Sequence, residues 1–150
     1  MSAGSPGRTV GAVDDLDEIR LPDPAAFSAD WVAAWNAHDL DTLLSHFHDD
    51  VVFTSPVAAQ IVPGSGGVLR GKDALRAYWT EGLRRIPDLQ FSVERVFAGV
   101  SVLVISYRNQ RGNLVDEVLR FADGLVVEGH GTYLTGDGAD DNPAGTVAPG

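Results

Sequence analysis

The sequence contains no cysteine, a single lysine and no long apolar run. Without cysteine the chain cannot form a disulfide framework, a thiol nucleophile or a cysteine-ligated zinc site. Apolar residues never continue for the roughly 18 positions that a membrane-spanning helix needs, so no membrane partner is expected. The residues after Met1 lack the apolar segment of a secretory signal, which predicts a cytoplasmic location.

Basic residues are also few. Eleven lysines and arginines stand against 21 aspartates and glutamates, so the formal net charge is −10. Binding to a nucleic-acid backbone needs a basic stripe that neutralises phosphates, and this balance argues against a nucleic-acid partner. Hydrophobic residues make up 44% of the 150 positions, which is enough for one folded domain with its own core.

The two ends of the chain lack the periodicity of packed elements. Residues 1–22 are rich in Gly, Ser and Asp, and residues 136–150 combine Gly and Pro with acidic residues. Such segments cannot bury enough apolar surface to offset the entropy of ordering, so both are predicted to be disordered tails, the second one acidic. The folded domain is expected over residues 23–135.

Helical spacing dominates the first half of this domain. Asp23 can cap a helix whose apolar face continues through about residue 37, and Asp39 can cap a short second helix that extends to Phe47. A third helix is predicted to start after Gly71 and to end before Pro87.

Strand-like alternation dominates the second half. A short β-branched strand over 51–55 is followed by a Gly-rich loop over 57–70, which is predicted to be a flexible lid. Four further strands, separated by short hairpin connections, are predicted from Leu89 onward and over 100–108, 113–121 and 125–134. This order predicts an α+β domain in which three helices pack on one face of a curved antiparallel sheet.

Three segments together resemble the SnoaL-like branch of the nuclear transport factor 2-like superfamily. They are Trp31-Val-Ala-Ala-Trp-Asn-Ala-His-Asp-Leu-Asp41, His48-Asp-Asp-Val-Val-Phe-Thr-Ser-Pro56 and Gly71-Lys-Asp-Ala-Leu-Arg-Ala-Tyr-Trp79. The resemblance implies a cone-shaped sheet with a pocket between its concave face and three N-terminal helices, and a homodimer packed through the sheet. This fold includes ketosteroid isomerases, polyketide cyclases, epoxide hydrolases, dehydratases and non-catalytic binding modules, so the resemblance alone does not identify an activity.

The ketosteroid isomerase pattern can be compared residue by residue. The oxyanion-donating tyrosine of that enzyme falls on Trp31, its general-base aspartate on Ser55, and a supporting tyrosine on Trp79. Its protonated aspartate falls on Glu117. Serine is not a base at neutral pH, and an indole N–H is a poorer donor in another position. Ketosteroid isomerase activity is therefore not expected.

Glu117 is the first candidate for a catalytic residue. Alternation places Val115, Glu117 and Leu119 on one face of a strand, and if that face is the concave one, the carboxyl lies in an apolar pocket. Burial would raise its pKa and make it an acid or base near neutrality. The alternative is a structural ion pair between Glu117 and Arg108 on the neighbouring strand.

Ser55 is the second candidate, because the family often keeps a functional side chain at this strand end. The sequence has no Gly-x-Ser-x-Gly elbow, so a hydrogen-bonding role is expected rather than a nucleophilic one. The proposed walls of the ligand pocket are Trp31, Tyr78, Trp79, Leu119, Gly129, Gly131 and Tyr133. Core packing is the alternative for the aromatic residues, whereas the two glycines are expected to leave space for a ligand.

Three other features predict no site. His46 and His48 form a His-x-His pair without a third ligand, so no metal is expected. Gly66 to Asp73 nearly matches a phosphate-binding loop but ends on a carboxylate instead of a hydroxyl. His130 is predicted to point away from the face that carries Gly129 and Gly131.

The combined prediction is a domain that binds a small hydrophobic or aromatic molecule. Acid/base chemistry on a carbonyl compound, of the isomerase, cyclase or lyase type, would depend on Glu117 with help from Ser55 and Tyr133, without a cofactor. The alternative is a non-catalytic ligand-binding or dimerisation module.

Overall fold

A computed structural model describes residues 21–136, which contain four helices and six strands. The elements occur in the order α1 (Pro24–Asn36), α2 (Leu40–Leu44), β1 (Phe47–Thr54), α3 (Pro56–Ile61), β2 (Val68–Arg70), α4 (Lys72–Arg85), β3 (Ser92–Ala98), β4 (Val102–Arg108), β5 (Leu114–Ala122) and β6 (Leu125–Tyr133). Most of both predicted tails lies outside the described residues. Within them, every helix is too short or too polar to cross a membrane.

The capping signals predicted two helix starts correctly. The Asp23 carboxylate accepts a hydrogen bond from the Ala26 N–H at 2.8 Å, and that of Asp39 accepts one from the Thr42 N–H at 3.1 Å. These carboxylates satisfy backbone donors that the first helical turn leaves unpaired. The predicted extent of the second helix was wrong, because Phe47 begins β1 and pairs with Val126 of β6.

The segment predicted as a loop over 57–70 contains two elements, and only residues 62–67 connect them. Ser55 caps α3 through a bond from the Val57 N–H at 3.1 Å, and Pro56 occupies the first turn. The proline that ends β1 therefore also starts a helix. The three residues of β2 are held by pairing with β1, a long-range contact that local sequence does not reveal.

The six strands form one sheet in the order β2-β1-β6-β5-β4-β3. All neighbouring pairs are antiparallel except β1 and β6, which run parallel. The predicted α+β class, with helices on one face of a largely antiparallel sheet, is confirmed. The parallel pairing of β1 with β6 was not part of the prediction. After β1 the chain forms α3, β2 and α4. Strands β3 to β6 follow, joined by three hairpins, and the last of them, β6, lies beside β1.

The face of the sheet that packs against the helices is called the inner face below. Leu103, Ile105 and Tyr107 of β4 are fully buried there, and the next strand, β5, places Glu117 and Leu119 beside them, also with no exposed surface. The residues between them in sequence are more exposed, which confirms the predicted alternation on β5. Helix residues Trp31, Trp35 and Trp79 complete the core, each fully buried.

Position 129 on β6 requires glycine because an aromatic ring lies close to the backbone there. A Cβ atom at this position would lie 2.8 Å from Cδ2 of Phe53 and 3.2 Å from Cδ2 of Leu119. The space that was expected for a ligand beside Gly129 is therefore filled by the ring of Phe53, and this expectation is corrected.

We expect Gly129→Ala to lower the free energy of unfolding by about 1–3 kcal/mol, as overpacking of a full core does. Urea unfolding monitored by circular dichroism measures the change. Gly99→Ala is the matched control, because a Cβ there would lie 3.6 Å from the nearest atom, the Val102 carbonyl oxygen, an ordinary contact. Equal stability of the two variants would contradict the assignment of Gly129 to close packing.

Candidate functional site

Glu117 lies in the middle of the inner face with no exposed surface. Its neighbours in register are Ile105 on β4 and Gly131 on β6. Within residues 21–136, neither oxygen of its carboxyl completes a hydrogen bond. Burial without a compensating charge disfavours the carboxylate, and this raises the pKa of Glu117 well above its ordinary value. The surroundings of Glu117 therefore favour its protonated form.

Glu117 and Arg108 do not form the ion pair that was considered as the alternative. The Arg108 Nε donates to Oε2 of Glu94 at 2.8 Å, and its Nη1 donates to the carbonyl of Gly112 at 2.9 Å. Arg108 follows the inward-facing Tyr107, so alternation directs it to the opposite face. The interpretation of Glu117 as part of a structural salt bridge is corrected.

Tyr107 interacts with the carboxyl of Glu117 and was not among the predicted site residues. Burial raises the pKa of the Glu117 carboxyl, and the Tyr107 hydroxyl lowers that pKa by a smaller amount. The contact between the hydroxyl and the carboxyl does not reach the distance and angle of a hydrogen bond. Burial, followed by the charge of Glu117, raises the pKa of Tyr107 well above its ordinary value. The signal that could have found Tyr107 is alternation along β4 from Leu103, combined with the pairing of β4 and β5.

Ser55 connects a second group of hydroxyls. Its Oγ accepts hydrogen bonds from the Val57 N–H at 3.1 Å and from the Tyr78 hydroxyl at 3.2 Å, and it also interacts with the Tyr133 hydroxyl. Burial raises the pKa of both tyrosines, and the charge of Glu117 adds to this effect. The structure thus brings together four predicted residues, Ser55, Tyr78, Glu117 and Tyr133.

The residues predicted to form the walls of the ligand pocket have different surroundings in the structure. Trp79 contacts the rings of Trp35, Phe47 and Phe53, with centroid distances between 4.9 and 5.5 Å, so it packs as a core residue. Trp31 lies edge-on to Tyr107 at 5.2 Å, beside the Glu117 site. Leu119 is fully buried one inward position from Glu117, and Gly131 lies directly opposite Glu117 on β6.

The site is closed in this structure. The predicted lid is reduced to residues 62–67, and the Gly67 carbonyl accepts a hydrogen bond from the Ser55 N–H at 3.0 Å. A Cβ at Gly67 would lie 3.0 Å from the Ser55 carbonyl oxygen, so a side chain there would press on the strand end. This segment is therefore packed directly against Ser55.

The histidines lie away from this site. His130 contacts Thr54 at 2.6 Å and Glu128 at 3.1 Å on the outer face of the sheet, as alternation predicted. His48 lies on β1 and its Nδ1 accepts a hydrogen bond from the Asp50 N–H. Over residues 21–136, no three His, Asp or Glu side chains come together in a way that could hold a metal ion.

Comparisons with known proteins agree with this architecture. The sequence model of the SnoaL-like domain matches residues 29–129. A SnoaL-like protein from Burkholderia thailandensis is 42% identical, with a TM-score of 0.70, and the match covers 75% of this chain and 100% of that protein. AclR from Streptomyces galilaeus is 26% identical with a TM-score of 0.52, over 73% of this chain and 87% of AclR.

TerC, crystallised with polyporic acid, shares the fold at 17% identity and a TM-score of 0.56, over 71% of this chain and 87% of TerC. A search of curated proteins finds no match. The family match spans about two thirds of the chain and covers most of the helices and strands that surround Glu117. The chain belongs to the SnoaL-like family.

Proposed function

We propose that this protein binds a small, largely apolar carbonyl compound inside the cone and catalyses a cofactor-independent proton transfer on it. The observation that carries the proposal is Glu117, a fully buried carboxyl whose two oxygens complete no hydrogen bond with the described residues. Leaving buried polar atoms unsatisfied costs about 1–3 kcal/mol each, so such atoms indicate a function that uses them.

A neutral carboxyl can act at two atoms of a substrate at once. Its O–H donates a proton to the carbonyl oxygen as negative charge develops there, while its second oxygen accepts a proton from another position of the same molecule. In an enol-ketone, the enol carbon attacks the ketone carbon, the ketone oxygen takes the Glu117 proton, and the enol O–H proton returns to Glu117. Atoms and charges balance without a further reactant, which fits an isomerase- or cyclase-type reaction.

Ser55 and Tyr133 support the substrate in this proposal. The Oγ of Ser55 already accepts bonds from Val57 and Tyr78, and no buried histidine or second buried carboxylate occurs among the described residues to deprotonate it. A role in hydrogen bonding therefore suits Ser55 better than nucleophilic attack. Since Glu117 is fully buried, a ligand enters only when part of the wall moves, and the segment 62–67 beside Ser55 is the proposed lid.

The exchange of α-hydrogens for deuterium tests the simplest partial reaction, enolisation. We expect the wild type to accelerate deuterium uptake from D2O into the methyl group of 4-acetylbiphenyl, measured by NMR. Glu117→Gln is expected to reduce this acceleration by about 100-fold or more, as loss of a general acid does. Asp116→Asn is the matched control, since Asp116 is the adjacent residue on the outer face and accepts a bond from Ser106.

One observation favours the second candidate, a non-catalytic binding module. Glu117 is the one fully buried carboxyl of the described residues, so no second buried carboxyl is present within them to share the acid and base roles. Binding of the ketone with exchange rates equal in wild type and Glu117→Gln would support this alternative and refute the catalytic role of Glu117. The cofactor-free reaction, the proposed homodimer through the sheet and the small-molecule partner are parts of the same proposal.

A further inference from the structure

The inner face continues past the tyrosines toward the hairpin that joins β4 and β5. Asn109 follows Tyr107 by two positions and Asn113 precedes Val115 by two, so alternation places both on the inner side. Both residues are only 5% exposed. The Asn109 N–H donates to the Asn113 carbonyl at 3.0 Å, which extends the pairing of the two strands by one step.

The side-chain amide of Asn109 is oriented by the hairpin. The Oδ1 of Asn109 accepts hydrogen bonds from the N–H groups of Arg111 at 3.0 Å and of Asn113 at 3.1 Å. Its Nδ2 is therefore the atom that remains for another partner. The Nδ2 atoms of Asn109 and Asn113 are both buried, and neither has a hydrogen-bond partner among residues 21–136. Two buried NH2 groups that have no acceptor among the described residues suit an acceptor that a ligand supplies.

The distance between this pair and Glu117 sets the length of such a ligand. Asn113 and Glu117 are four residues apart and lie on the same side, which corresponds to about 13 Å along an extended strand. Between them lie Val115 and the rings of Tyr107 and Tyr133, which offer a mainly apolar wall. A molecule that spans the distance has an apolar middle and a polar atom at each end.

We infer that Asn109 and Asn113 form a second binding subsite, which donates amide N–H groups to a carbonyl oxygen at the far end of an elongated ligand. The inference rests on the proposed function, because the near end of that ligand is the carbonyl bound by Glu117. An uncharged oxygen suits the subsite, since amide N–H groups carry no net charge and burial of a carboxylate costs more than burial of a ketone.

Two rigid ketones test the inference. 4,4′-Diacetylbiphenyl carries a carbonyl at each end, and 4-acetylbiphenyl carries only one. Titrations followed by tryptophan fluorescence are expected to show that the wild type binds the diketone about ten-fold more tightly, the gain of one or two buried hydrogen bonds. Asn109→Asp retains the Oδ1 acceptor that the turn needs, and Asn113→Ala removes the other amide. Each is expected to abolish the preference while monoketone affinity stays within about two-fold.

The controls separate this inference from the proposed function. Gln90→Glu adds the same charge as Asn109→Asp at an exposed amide and is expected to keep the preference. Movement of the Asn109 and Asn113 side-chain NH2 signals with the diketone, but not with the monoketone, would confirm the contact by NMR. Equal wild-type affinity for the two ketones, or a preference that survives in both variants, overturns the subsite and leaves the proposal for Glu117 intact. Failure of both ketones to bind overturns the two proposals together.

Discussion

Glu117→Gln is expected to unfold at a higher urea concentration than the wild type at pH 8, while the two proteins unfold at similar concentrations at pH 4.5. The substitution keeps the shape of the side chain and removes its ability to ionise. A stabilising effect from loss of a carboxyl is unusual, and it follows from the raised pKa of the fully buried Glu117.

The direction follows from proton linkage. In the unfolded chain Glu117 ionises near its ordinary pKa, whereas in the folded protein it keeps its proton to higher pH. The stability that the protonated group contributes is complete below the unfolded pKa and is lost as pH rises through the folded pKa. In that interval the wild type loses up to about 1.4 kcal/mol of unfolding free energy per pH unit through this group, and the glutamine variant does not.

Urea unfolding of both proteins at several pH values between 4.5 and 8 measures the effect. Asp116→Asn again serves as the control, since it replaces a carboxyl one residue away on the outer face. Parallel curves for Glu117→Gln and the wild type would show that the carboxyl is ionised and stabilised in the folded protein. If Glu117→Gln gains stability and also loses exchange activity, Glu117 lowers the stability of the fold and is retained for its function.

Trp79→Ala is expected to lower the unfolding free energy by about 3–5 kcal/mol, a large part of the 5–15 kcal/mol that a domain of this kind possesses. Trp79 has no exposed surface and touches three aromatic rings, those of Trp35, Phe47 and Phe53. Truncation would leave a cavity among rings that belong to α1 and β1, which cannot collapse without moving both elements.

Chemical unfolding of three variants tests the role of Trp79. Trp79→Phe retains a ring and is expected to lose less stability than Trp79→Ala. Thr80→Ala, at the exposed next position of α4, is expected to change stability by no more than about 0.5 kcal/mol. A loss below about 1 kcal/mol for Trp79→Ala would instead identify Trp79 as the wall of an open ligand pocket.

Local signals predicted much of this fold. The carboxylates of Asp23 and Asp39 mark helix starts because each satisfies backbone donors within its own first turn, and no distant residue is needed. Alternation along β5 likewise predicted that Glu117 shares one face of the strand with Val115 and Leu119, because successive side chains of a strand point to opposite faces. Which of the two faces packs against the helices was left open by the alternation.

Local sequence signals did not predict which strands pair when they are far apart in the chain. The parallel contact of β1 with β6 and the short β2 strand depend on residues far apart in sequence. Tyr107 was missed for the same reason, since its place beside Glu117 requires the register of β4 against β5. The Arg108 alternative failed because Arg108 faces Glu94 across the opposite side of the sheet.

The amino-acid pattern alone was sufficient to predict an α+β domain and to place Glu117 on the same strand face as Val115 and Leu119, because periodicity and capping act over a few residues. Whether that carboxyl meets an arginine or remains unpaired, and whether Gly129 leaves a cavity or receives the Phe53 ring, depends on side chains that approach from other elements. The same holds for the hydroxyls gathered around Ser55. These contacts arise when distant segments pack, and packing determines the surroundings and hence the pKa of Glu117.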